Sequence, residues 1–147
     1  MVIRELRWWQ IAELLPIEAD LFGAERWSAA MFWNELANGH YYRVAVQHGE
    51  VVGYAGLAVT TPDEAAVQNL AVRRDRQRHG IGEALLADLL AEADRRSAHR
   101  VILEVAVDNQ PAQRLYRRHG FAPAGIRRRY YQPSNTDALT MIRGKAR

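Results

Sequence analysis

One stretch of the chain, from about residue 65 to residue 93, restricts the fold more than any other. Residues 65–72 form an apolar run ending Asn69-Leu70-Ala71-Val72, and residues 73–79 are polar and strongly basic. Gly80 then opens a segment in which Ile81, Leu85, Leu86, Leu89, Leu90 and Ala93 keep the 3.6-residue period of an amphipathic helix. A strand that turns through Gln77-Arg78-His79-Gly80-Ile81-Gly82 into such a helix predicts a sheet with that helix laid on one face. The same geometry gathers backbone N–H groups at the positive end of a helix, a setting that suits a pyrophosphate. Gly80 and Gly82 let an anion approach the backbone without a Cβ in the way. The loop has no Gly-Lys-Ser/Thr and lacks the three-glycine dinucleotide pattern, so it is neither a Walker loop nor a dinucleotide fingerprint.

The rest of the pattern fills in around this unit. Residues 2–7 read as a short strand. Residues 9–22 read as a helix, with Pro16 predicting a kink or two pieces. Ser28 is placed to N-cap a second helix that Asn38-Gly39 ends. Period-two alternation over residues 42–47, a Gly49-Glu50 turn and residues 51–59 predict a hairpin. Residues 101–107 read as a buried strand, 112–119 as a short helix closed by Gly120, and 121–129 and 138–142 as last strands. The order β-αα-βββ-α-β-α-ββ describes a mixed α/β or α+β domain around one sheet, with residues 1–147 as a single domain.

Composition excludes several chemistries. The chain has no cysteine, hence no disulfide, thiolate zinc site or acyl-cysteine intermediate, and its five histidines lack metal-ligand spacing, so no metal is assigned. No apolar run is long enough to span a bilayer or to act as a secretory signal, which predicts a cytoplasmic protein without membrane contact. The net charge of +3 hides an asymmetry: residues 1–72 hold four arginines against nine acids, residues 73–147 sixteen basic residues against eight acids. The basic half is expected to face an anion, and the acids of residues 13–35 to attract a cationic substrate.

Beyond the glycine loop, the chain carries Leu103-Glu104-Val105, then Asn109-Gln110-Pro111-Ala112-Gln113-Arg114-Leu115-Tyr116, then Gly120-Phe121. With the Q-x-x-G-x-G loop these elements resemble the GNAT superfamily of N-acetyltransferases over nearly the whole chain, most closely over residues 67–131. Leu103-Glu104-Val105 and Arg128-Arg129-Tyr130-Tyr131 look more narrowly like the RimI-type enzymes, which acetylate the N-terminal alanine of small-subunit ribosomal protein eighteen. Two departures stand out: Glu25-Arg26 where that subgroup often has Phe-Pro, and Arg73-Arg74 in place of an acidic residue and proline.

The resemblance implies the GNAT acyl-CoA N-acyltransferase fold: a mostly antiparallel mixed sheet flanked by helices, with splayed central strands and acetyl-CoA, the co-substrate, in the cleft between them. Backbone groups of Leu70, Ala71 and Val72 would align the pantetheine arm. Amides of Arg78, His79, Gly80, Ile81, Gly82 and Glu83 would hold the pyrophosphate, with Asn109 on the cofactor arm and Arg73, Arg74, Arg76 and Arg78 steering the anion. Glu104 would be the general base and Tyr116 the general acid, with direct attack by the amine in a ternary complex. Trp27, Tyr130 and Tyr131 would wall the acceptor, the peptide N-terminus of a ribosomal protein, and association with the ribosome is compatible with this. Acetylation of lysines, polyamines or other small amines is the alternative within the fold. An RNA-binding protein, or a silent acetyl-CoA sensor, ranks lower: no recognition helix or stacking array is present, and both Glu104 and Tyr116 are.

Overall fold

The computed structural model describes residues 1–144. One seven-stranded sheet runs β1 (Val2–Glu5), β2 (Tyr41–Gln47), β3 (Glu50–Thr61), β4 (Glu64–Val72), β5 (Arg100–Ala106), β7 (Thr136–Gly144), β6 (Ala122–Tyr131). Every neighbouring pair is antiparallel except β4 and β5. Helices α1 (Ile11–Phe22) and α2 (Ala29–Ala37) cover one face, α3 (Ile81–Arg95) and α4 (Gln110–Arg118) the other. The element order is the one read from the sequence, with bounds moved by at most two residues.

Local chemistry accounts for the ends. Ser28 Oγ accepts the Met31 N–H at 3.3 Å and caps α2, while Asn109 Oδ1 accepts the Ala112 N–H at 3.2 Å and caps α4. His48 and Gly49, both left-handed, turn β2 into β3. Pro16 does not split α1, contrary to expectation. The helix runs unbroken through it, anchored by Ile11, Leu14 and Ile17 against the sheet, so packing outweighs the one lost backbone bond. The helical stretch begins instead with a 3-10 turn at Trp8–Gln10. Trp8, Trp9 and Trp33 lie on the surface, Trp8 stacked on Trp33.

The centre of the sheet is irregular. Gly56 pairs with Asn69 and Leu57 with Val67, so Gln68 is an extra residue in β4, a β-bulge. The bulge reverses the phase of the strand: Ala65 and Val67 face the α3 core before it, Leu70 and Val72 after it. Parallel pairing with β5 covers only Glu64, Ala65 and Ala66, opposite Arg100, Val101 and Ile102. Beyond Ala66 the two strands part.

Opposite the bulge, a Cβ on Gly56 would overlap the ring of Tyr42, which lies across the strand. Gly56→Ala is therefore expected to lower unfolding free energy by about 1–3 kcal/mol, the cost of overpacking a dense core. Urea denaturation of the two proteins checks it.

Candidate active site

The splay leaves one edge of β4 without a partner. Arg73 donates its N–H to Val52 C=O at 2.7 Å, and the alternation of a strand then turns the peptide groups of Leu70 and Val72 away from β3, into the gap. Of the three residues expected to align a cofactor arm, Ala71 directs its peptide groups to β3. The Val72 carbonyl takes the Gln77 side-chain amide at 3.0 Å, which folds the loop back beneath the strand end.

That loop has the geometry of an anion cradle. The first bond of α3 runs from Ala84 N–H to Gly80 C=O at 3.0 Å, and α3 has no side-chain cap. The amides of Arg78, His79, Gly80, Ile81, Gly82 and Glu83 therefore have no acceptor among the described residues. Arg78 and Gly80 are both left-handed, with φ of 66° and 81°, which curves the amides around one point. A Cβ on Gly82 would meet Leu115 and Val72 only at 3.6 Å, so the protein's own packing does not require glycine there, and the bare position leaves space beside the amides. Arg118 and His119, at the end of α4, reach Glu83 in the first turn of α3 at 3.0 and 3.7 Å.

Charge around the cradle is partly spent inside the molecule. Arg73 pairs with Asp75 and Glu50, Arg74 with Asp20 and Arg76 with Asp75. Arg78 has no such partner among the described residues, and neither do Arg114 and Arg117 on α4. The expected steering thus falls to Arg78 and α4, not to the run before it. The acids expected to attract a cation are also mostly engaged: Glu18 and Glu35 are buried, and Asp20 is paired.

Glu104 stands two residues past the last β4–β5 pair. Strand alternation sends Val101, Leu103 and Val105 into the α3 core and Glu104 to the opposite face. Its carboxylate accepts the Thr140 hydroxyl at 2.5 Å from the facing position on β7, and Arg127 Nη1 lies 3.5 Å away. Arg127 is held over the Tyr130 ring, its guanidinium carbon 4.8 Å from the centroid.

Tyr116 lies on the α3 side. It is 7% exposed, edge-on to Phe121 at 5.8 Å, and its hydroxyl has no hydrogen-bond partner among the described residues. Burial pushes its phenol up to about 12, so it is a protonated donor at neutral pH. Its helix is pinned by Gln113, buried, whose amide spans the Ala106 and Val107 carbonyls at 3.1 Å each. Asn109, expected on the cofactor arm, spends its side-chain oxygen on the helix cap and keeps its amide nitrogen free.

Tyr131 ties the constellation together. Burial raises its phenol, and Tyr130, Tyr116, Glu104 and Glu25 all lie near enough to push the same way. Ser134, in the turn between β6 and β7, bonds Glu25 in the loop between α1 and α2, joining the two segments above the gap. Trp27 belongs to that second loop, its ring 5.2 Å from Phe32. The sequence assigns no role in the site to Thr140, Gln113 or Gln68, and places Arg127 only in a basic run and not beside Glu104. Of the first three, only Gln68 left a trace there, as a break in strand alternation.

A sheet whose central parallel pair opens beside a glycine-rich helix start, with a carboxylate at the gap, has known counterparts. The sequence profile of the Acetyltransferase (GNAT) family matches residues 3–121. The chain belongs to the GNAT acetyltransferase family. It is 44% identical over 132 residues to the N-alpha-acetyltransferase RimI of Mycobacterium tuberculosis, covering 86% of this chain and 82% of that one. It is 36% identical over 117 residues to the [ribosomal protein bS18]-alanine N-acetyltransferase of Escherichia coli K12, covering 78% of each. The crystal structure of the Escherichia coli ribosomal-protein-S18-alanine N-acetyltransferase superposes with a TM-score of 0.88 at 32% identity over 99% of this chain and 94% of that one. Ard1 from Thermoplasma volcanium gives 0.89 at 28% identity, over 99% and 98%. The protein is thus a GNAT N-acetyltransferase of the RimI kind, in a family that uses acetyl-CoA. No helix among the described residues is long and apolar enough to cross a membrane.

Two measurements test the geometry. Nothing stands within 4 Å of a Cβ built on Gly80, so Gly80→Ala carries only the left-handed backbone penalty, about 1–2 kcal/mol in a denaturation experiment. Tyr116 has a folded pKa of about 12 against roughly 10 unfolded, so the folded state holds that proton more tightly. Its contribution to stability is whole below pH 10 and lost as the pH rises from 10 towards 12, and denaturation of Tyr116→Phe should show a shallower alkaline loss.

Proposed function

We propose that this enzyme transfers the acetyl group of acetyl-CoA to the N-terminal alanine of a ribosomal protein of the bS18 type, in the cytoplasm. The observation that carries the mechanism is the placement of Glu104 and Tyr116 on opposite faces of the sheet, on either side of the opening between β4 and β5. The acceptor rests on similarity to relatives that act on bS18.

The residues fit acetyl-CoA. The six free amides and Arg78 suit its pyrophosphate, and the inward peptide groups of Leu70 and the Val72 N–H suit an amide-bearing arm. When bound there, acetyl-CoA supplies an activated thioester carbonyl. Glu104 takes a proton from the acceptor ammonium, directly or through one water, and Thr140 holds the carboxylate in place while it does so. Tyr116 keeps its proton on the other side of the gap, available to the departing sulfur. The turn of Ser134 and the Trp27 loop, with Tyr130 and Tyr131, form the wall that receives a chain end.

Proton economy favours an α-amine. At pH 7 an α-amine is roughly 10–15% neutral, and a lysine side chain about 0.04%. A terminal amine therefore asks a few hundredfold less of the base. An acceptor that reaches Glu104 must displace Arg127 or share the carboxylate with it.

The test is steady-state acetylation of a short peptide that begins with alanine and carries an internal lysine, with the product located by mass spectrometry. Acetyl is expected on the alanine nitrogen, and Glu104→Gln and Tyr116→Phe are each expected to lower kcat about 10²-fold or more. Modification of lysine alone would move the acceptor to the second class. Full turnover by both variants would overturn the assigned acid and base.

A further inference from the structure

Two buried carboxylates have no part in the proton transfers above. Glu18 on α1 is 2% exposed and Glu35 on α2 is 7% exposed, and neither meets an arginine or lysine among the described residues. Burying a carboxylate is costly, and an apolar residue of similar size often serves stability as well or better. Each is instead held by a buried tyrosine. Glu18 Oε1 accepts the Tyr54 hydroxyl at 2.7 Å, and Glu35 Oε1 accepts the Tyr42 hydroxyl at 2.9 Å.

The second oxygen or remaining lone pairs of each carboxylate go to a different half of the site. Glu35 Oε1 also takes the Gln68 side-chain amide at 3.2 Å, its Oε2 faces His40 Nδ1 at 3.1 Å, and Tyr42 bonds the Asn69 side chain as well. Gln68 is the bulge residue of β4 and Asn69 the next, so both are fastened to one tyrosine–glutamate pair. The bulge is what turns Leu70 and Val72 into the gap. Glu18 Oε2 takes the backbone N–H of Trp27 at 2.9 Å, in the loop that walls the acceptor. Phe32 stands edge-on between the two tyrosines, 6.4 Å from Tyr42 and 5.8 Å from Tyr54.

We propose that these are two independent positioning pairs: Tyr42–Glu35 sets the cofactor strand through the bulge, and Tyr54–Glu18 sets the acceptor wall through Trp27. The proposal rests on the reading above, in which acetyl-CoA lies along β4 and the acceptor meets the Trp27 loop. Both pairs lie on the α1–α2 face, and both tyrosines lose the same single atom in a change to phenylalanine, so general destabilisation should be alike for the two. The site should tell them apart.

The experiment compares Tyr42→Phe and Tyr54→Phe in three measurements: urea denaturation, acetyl-CoA affinity by calorimetry without acceptor, and the acceptor KM at saturating acetyl-CoA. Tyr42→Phe is expected to weaken acetyl-CoA binding about tenfold, the order of one buried charge-assisted hydrogen bond, with the acceptor KM unmoved. Tyr54→Phe is expected to raise the acceptor KM by a similar factor and leave acetyl-CoA affinity unmoved. Gln68→Ala removes the bulge tie from an exposed side chain and should reproduce the Tyr42→Phe pattern in a folded protein even if Tyr42→Phe does not fold. Equal shifts of both constants in both tyrosine variants, or none, would overturn the proposal, as would unchanged acetyl-CoA affinity in Gln68→Ala. The acceptor KM is measured with whichever amine the wild type acetylates, so an error in the acceptor's identity shows in the wild type and an error in the positioning scheme only in the variants.

Discussion

The structure turns on an interruption: two parallel strands exchange hydrogen bonds for three residues and then stop. β4 and β5 could in principle pair along their whole length, since both are apolar and both lie in the middle of the sheet. The extra residue at Gln68 prevents this by twisting β4 out of register with the sheet plane. An unpaired strand edge inside a protein is ordinarily a cost, because its N–H and C=O groups lack partners. Here the peptide groups of Leu70 and the Val72 N–H face the gap, and in the proposed function they meet a ligand that carries amides of its own, while the Val72 carbonyl takes the Gln77 side chain. Gly56 and Tyr42 then follow as consequences. The ring lies over the bare backbone of the glycine, and its hydroxyl reaches the residues of the bulge.

Electrostatics are organised around the same opening. The acidic and basic halves of the sequence answer each other in part: Arg73 meets Glu50, Arg74 meets Asp20 and Arg100 meets Glu64. Exposed pairs of this kind add little stability. Their effect is to fix the basic loop against β3 and α1 and so hold the cradle that follows it. Among the described residues of the basic half, Arg78 on the loop, Arg114 and Arg117 on α4, and Arg128 and Arg129 on β6 have no ion-pair partner. Part of the segregation visible in the sequence is therefore internal complementarity, and the rest faces outward from the loop, α4 and β6.

The elements were legible because their signals are local. Ser28, Asn109, Gly39, Gly80 and Gly120 mark helix ends through their own backbone and side-chain chemistry, and the apolar periods of α3 and β5 need no partner to be recognised. Pro16 misled for the same reason: its local cost is real, but contacts distant in sequence outweigh it. The glycine loop, Glu104 and Tyr116 were assignable as a set because together they match the motifs of the GNAT superfamily. Thr140 and Arg127 were not, since nothing in a sequence fixes the register that sets Thr140 opposite Glu104. Glu18 and Glu35 were read among the acids of residues 13–35 that would attract a cationic substrate. Only the tyrosines of β2 and β3, brought over them by the sheet, make their burial tolerable.

In the proposed mechanism the two faces of the sheet divide the work of acyl transfer. A single residue of strand alternation puts Glu104 on the side of α1 and α2, while the helix after β5 brings Tyr116 to the side of α3 and α4. A proton can then leave the nucleophile on one face and arrive at the leaving group on the other, with no need for one residue to do both. Their environments suit the division. Glu104 keeps a hydroxyl and a guanidinium beside it, which hold the carboxylate in place. Tyr116 sits among apolar side chains with no charge-stabilising partner, which favours the protonated phenol. Had β4 and β5 stayed paired, those faces would be sealed from each other. The bulge that costs the sheet its regularity is what lets one carbonyl be reached from both sides.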